Sequence, residues 1–68
     1  MTLEEKILTQ LRYASFLRAG HPLRRLVHIA FGNINYTTIE ETKKILYKLR
    51  KKGKIQYFRE TKVWYYSD

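Results

Sequence analysis

The sequence predicts a small α+β domain: three helices followed by a two-stranded β-hairpin. Three observations lead there. Apolar residues recur at helical spacing over about 2–19, 22–31 and 38–52. After Gly53 the pattern changes to an alternation rich in aromatic and β-branched side chains, over about 54–66. Sixty-eight residues make one domain, 1–68, and since they contain no cysteine its single apolar core has no disulfide or thiolate metal site to staple it.

The first helix opens at Thr2. Thr2-Leu3-Glu4-Glu5 fits a capping box, with the hydroxyl on an early amide and Glu5 reaching back. Leu3, Ile7, Leu8, Leu11 and Ala14 form one apolar stripe, which Phe16 and Leu17 widen. Arg12 and Arg18 lie in the later turns, where the helix dipole favours a cation. Gly20 supplies the stop.

Pro22 suits the first position of the second helix. Leu23, Leu26, Val27 and Ala30 keep helical spacing, and Arg24, Arg25 and His28 take the other side. Gly32-Asn33-Ile34-Asn35-Tyr36-Thr37 is a turn by composition, with Ile34 and Tyr36 placed to tuck inward. The third helix starts at Thr38 with Glu41 closing a capping box; Thr37 with Glu40 is an equally good register. Ile39, Thr42, Ile45, Leu46 and Leu49 occupy one side. At 100° per residue, the opposite side holds Glu40, Lys43, Lys44, Tyr47, Lys48 and Lys51. Gly53 ends it.

Lys54–Arg59 and Lys62–Tyr66, separated by Glu60-Thr61, read as the hairpin. Ile55 and Tyr57 share one face of the first strand, and Trp64 and Tyr66 oppose Val63 and Tyr65 in the second. Tyr57 and Tyr65 are the expected core rings, and Trp64 is expected nearer the surface of the third helix.

Fourteen Lys/Arg against six Asp/Glu leave a formal charge of +8. The excess is uneven: residues 43–62 carry nine Lys/Arg and one Glu. Such a field favours polyanionic partners, nucleic acid first and an anionic membrane second. No stretch is long and apolar enough to span a bilayer, and no signal peptide is read ahead of the first helix. Cytoplasmic placement is expected, on the nucleoid in a prokaryotic or viral setting. Catalysis is not expected, since the sequence has no paired carboxylates, no nucleophile beside a base and no phosphate-cradling glycine loop. His21 and His28 lack a third ligand at metal spacing, and no cofactor or small-molecule substrate is evident.

The order helix, helix, turn, helix, hairpin resembles the winged helix-turn-helix DNA-binding domains. Its sharpest part is Leu46-x-x-Leu49-x-x-x-Gly53-x-Ile55. The resemblance implies that both leucines and Ile55 are core positions, and that Gly53 separates the recognition helix from the wing. Thr38 stands where that family usually has a Ser or Thr cap. The turn from Gly32 to Thr38 is longer than the common prokaryotic pattern. A narrower likeness is to the Z-alpha winged helices that bind left-handed duplexes. Tyr47 and Trp64 match that family's contacting tyrosine and tryptophan, whereas its helix asparagine is Lys43 here, and Thr61-Lys62-Val63 replaces its paired prolines.

The leading expectation is a double-stranded DNA-binding protein, a small transcriptional regulator that docks helix 38–52 in the major groove and its hairpin on the adjacent backbone. Lys43, Lys44, Lys48, Lys51 and Lys54 would meet phosphates. Glu40, Lys43, Lys44 and Tyr47 lie in the half of the helix that reads base edges. Arg59 and Lys62 flank the hairpin tip, though charges there also keep edge strands from pairing. Arg24, Arg25, Tyr36 and Thr37 add further phosphate contacts. A homodimer through helix 2–19 is expected on Leu3, Ile7, Tyr13 and Phe16. Two alternatives stand beside this reading. One is a protein-interaction module that presents Trp64 and neighbouring tyrosines to an acidic partner; the other is RNA or left-handed-duplex binding through Tyr47 and Trp64.

Overall fold

A computed structural model describes residues 2–67. Helix α1 spans Leu3–Phe16, strand β1 His21–Pro22, helix α2 Leu23–Phe31, helix α3 Tyr36–Lys51, strand β2 Ile55–Phe58 and strand β3 Val63–Tyr66. The three helices followed by a hairpin are those expected from the sequence. The addition is β1, which makes the sheet three-stranded in the antiparallel order β1-β3-β2.

Thr2 caps α1, its Oγ1 accepting from the Glu5 amide at 3.1 Å. The helix ends three residues earlier than expected, and Gly20 is not its stop. Leu17 is the C-cap, and Arg18 takes the left-handed position with φ 54°. The Arg18 amide donates to the Ser15 carbonyl at 3.0 Å and the Ala19 amide to the Ala14 carbonyl at 2.9 Å. These two bonds make a Schellman motif with an arginine where glycine is usual. Phe16 and Leu17 therefore do not widen the buried stripe: they are 72% and 81% exposed.

Gly20 serves another purpose. A Cβ at this position would overlap the backbone carbonyl oxygen of Trp64 and lie 2.8 Å from Val63 Cγ1. Absence of a side chain lets the chain run flush against β3, where His21 pairs with Trp64 and Pro22 with Val63. Pro22 is thus the N-cap of α2 at the end of an edge strand, not the first helical residue. An edge strand tolerates proline because one side of its ladder is unpaired. Gly32 closes α2 with φ 76°, and its amide bonds to the His28 carbonyl.

Helix α3 begins two residues before the expected start. Asn35 is its N-cap: Oδ1 accepts from the Thr38 amide and Thr38 Oγ1 accepts from the Asn35 amide, both at 3.0 Å. Thr38 is the N3 member of the box, not the cap. Asparagine outranks threonine as a cap, which moves the boundary to 36. Tyr36 and Ile34 do not tuck inward; they are 79% and 43% exposed. At the other end Gly53 behaves as expected, with φ 77° and a second Schellman pair, Gly53 amide to Arg50 carbonyl and Lys54 amide to Leu49 carbonyl, each 3.0 Å.

The core joins Ile7 and Leu11 of α1, Leu26 and Ala30 of α2, Leu46 and Leu49 of α3, Ile55 of β2 and Trp64 of β3. Leu46, Leu49 and Ile55 are each at most 1% exposed. Thr42 is fully buried, and its hydroxyl is satisfied by the Thr38 carbonyl at 2.8 Å. Of the two rings expected inside, Tyr57 packs against this cluster, whereas Tyr65 turns to the other face and meets Phe58 edge-on at 4.9 Å. The ring that replaces it is Trp64, only 5% exposed. Strand register decides this: Tyr57 pairs directly with Trp64, and directly opposed residues share a face, so Trp64 joins Tyr57 on the core side and Tyr65 faces away.

Candidate nucleic-acid interface

Along α3 the buried positions Thr42, Leu46 and Leu49 turn Lys43, Tyr47 and Arg50 toward the hairpin. The spacing i, i+4, i+7 places these three on one stripe. Tyr57 of β2 faces them, and Trp64 is its register partner on β3. The loop Arg59–Lys62 closes at the far end, where the Lys62 amide bonds to the Phe58 carbonyl at 2.8 Å with Lys62 at φ 55°. Together these residues and Leu23 of α2 line an open groove of about 560 Å³.

The floor of the groove is aromatic. Trp64 packs on Tyr57 at 4.7 Å between ring centroids, and Tyr47 tilts against it at 6.2 Å and 60°. Tyr47 remains 56% exposed, so it is the ring of the three most open to solvent. Trp64, expected as a surface contact, is instead the buried support that fixes Tyr47 and Tyr57, with an edge left in the groove.

The walls are cationic and come from two elements, Lys43 and Arg50 from α3 and Arg59 and Lys62 from the hairpin loop. Lys43 is partly compensated by Glu40, 3.4 Å away. Arg50, Arg59 and Lys62 have no acidic partner among the described residues. Arg50 is the member that the sequence reading missed. It lies at the margin of the helix-wheel face drawn there, but one turn past Tyr47 on the Lys43 stripe, which is the signal that finds it.

No protein-family model, characterised protein or solved structure matches the chain.

The remaining residues expected at the site lie elsewhere. Lys48 turns away from the groove toward the start of α1, where Glu4 oxygens stand 3.8 Å from Lys48 Nζ and 3.4 Å from Lys52 Nζ. Lys44 pairs with Glu41 at 3.5 Å. Lys51 and Lys54 are exposed beyond the groove, and so are Tyr36 and Thr37 on the first turn of α3. Arg24 is exposed on α2, and Arg25 borders a separate depression beside the end of α1. Of the four residues expected at a dimer contact, Ile7 is fully buried and takes no part in any surface, whereas Leu3, Tyr13 and Phe16 are exposed. Among the described residues, no helix is long and apolar enough to cross a membrane.

Proposed function

We propose that the chain is a winged helix-turn-helix protein that binds double-stranded DNA and regulates transcription, working in the cytoplasm. Helix α3 docks in the major groove and the β2–β3 loop grips the adjacent backbone. The observation that carries this reading is the convergence of Lys43 and Arg50 with Arg59 and Lys62 across one concave surface. Cations on two separate elements match a ligand whose negative charge runs in a continuous line past both, as phosphates do along a groove. Tyr47, standing between them, supplies a hydroxyl and an apolar ring to the same surface.

Lys43 and Arg50 are suited to guanine edges as well as phosphates, and the arginine fork adds bidentate geometry. Arg59 and Lys62 contribute sequence-independent affinity. The test is a salt titration of duplex binding with an Arg50→Ala/Arg59→Ala double variant. Both side chains are exposed, so folding survives. Loss of two phosphate contacts flattens the logarithmic salt slope by about two units. Unchanged duplex affinity in that variant rejects the groove as the binding surface.

A further inference from the structure

The last turn of α1 carries an apolar surface that the groove does not use. Tyr13, Phe16 and Leu17 are 64%, 72% and 81% exposed, and they are contiguous on the helix end. Tyr13 and Phe16, three residues apart, form a ridge with a depression on each side, one of about 450 Å³ and one of about 300 Å³. The larger runs along α1 past Leu17 to Arg25, and Arg12 borders the smaller. The Schellman turn at Arg18 holds Leu17 outward. No residue lines both this surface and the groove.

Its charge is of one sign. Arg12 lines the smaller depression, Arg25 lines the larger and exposed Arg18 follows Leu17 at the helix end, and none has an acidic partner among the described residues. From Lys6 to Ile39 the sequence contains no Asp or Glu. We propose that this face docks an amphipathic acidic segment of another protein, whose apolar side chains enter the two depressions while its carboxylates meet the three arginines.

Charge complementarity decides among the occupants. A second copy of this chain brings arginines against arginines. Of its described acids, Glu4, Glu40 and Glu41 are already engaged by lysines, which leaves only Glu5 on the first turn of α1 and Glu60 on the hairpin loop, on separate elements, against three arginines. A bilayer satisfies the charge but offers no fixed set of side chains to match the two depressions, whereas side chains of a partner helix fit a ridge between two hollows.

The test uses the full chain and a synthetic helical peptide with leucine and phenylalanine on one face and glutamate on the other. A sequence-scrambled peptide of identical composition serves as control. Binding of the amphipathic peptide alone is expected, with backbone amide shifts centred on Tyr13–Arg18. Phe16→Ser weakens it about tenfold, as loss of an interface anchor does. Arg12→Gln/Arg18→Gln weakens it and lowers its salt dependence. Both sets of positions are exposed, and thermal melts confirm folding. A Lys43→Ala/Arg50→Ala variant, changed only in the groove, retains peptide binding. The proposal is overturned by equal binding of the two peptides, or by peptide binding that survives Phe16→Ser but is lost in the groove variant. It is also overturned if the peptide does not bind, whether Phe16 then drives dimerisation, or partition onto phosphatidylcholine vesicles containing about a third phosphatidylserine, or neither.

Discussion

Gly20 lies against the backbone carbonyl of Trp64, closer than any side chain would permit. That approach pins β1 to β3 and brings the end of α1 onto the sheet whose other edge carries the groove. Gly20→Ala forces backbone against backbone, and the neighbours Val63 and Tyr65 allow no easy retreat. A loss of about 1–3 kcal/mol in unfolding free energy is expected, measured by urea denaturation. Wild-type stability in this variant would contradict the close packing.

Arg18 and Lys62 both hold positive φ, a conformation that costs a side-chain-bearing residue about 1 kcal/mol relative to glycine. Arg18→Gly relieves the strain at the end of α1 without disturbing either Schellman bond. Its melting temperature should rise, offset in part by the greater freedom of the unfolded chain. At Lys62 the same replacement separates two roles: stability holds or rises while duplex affinity falls.

Glu4 competes with any anionic ligand for Lys48 and Lys52. Exposed pairs of this kind add at most about 1 kcal/mol to stability. Glu4→Gln therefore leaves the melting curve almost unchanged but releases two cations beside α3. Duplex binding should tighten and its logarithmic salt slope steepen by about one to two units. An identical slope would mean that neither lysine reaches the phosphates.

His21 links stability to pH. Burial, reinforced by the positive charge of Arg25, lowers its pKa from 6.5, against a smaller opposing effect of a hydrogen bond with the Gln10 backbone. Its Nδ1 is buried without a hydrogen-bond partner among the described residues. The unfolded chain then binds a proton more readily than the folded one. Above the unfolded pKa both states are neutral and the preference for the neutral ring is fully present; it is lost as pH falls through 6.5 toward the lower folded value. Melting temperature should drop between pH 7.5 and 5.5, and His21→Gln should remove much of that dependence. A flat profile in the wild-type protein would contradict the burial of the neutral ring.

Much of this was readable in advance, for identifiable reasons. Leu46, Leu49 and Ile55 declare themselves because period and stop signal agree: an apolar stripe, basic residues in the last turn, then Gly53. The outward stripe Lys43-Tyr47 follows from the same period. Other features escaped because they depend on contacts between distant segments. β1 is only two residues long and carries no alternation; it is a strand because β3 lies beside it. Gly20 looked like a helix stop because a local rule assigns glycine that role, yet Arg18 fills it and the glycine is needed for the approach to Trp64. Trp64 went inside and Tyr65 outside because the pairing of β2 with β3 sets Trp64 directly opposite Tyr57.

The sequence alone determined the three helices and the hairpin, their order, the central part of each helix's inward face and the sign of the field, since these are consequences of periodicity, capping chemistry and composition within a few residues. Only the tertiary structure decided which cations share a surface. Arg50 joins Arg59 and Lys62 across the groove, whereas Lys48 turns back to Glu4. Where a long side chain ends depends on what stands across the gap from it, and a sequence does not list that neighbour.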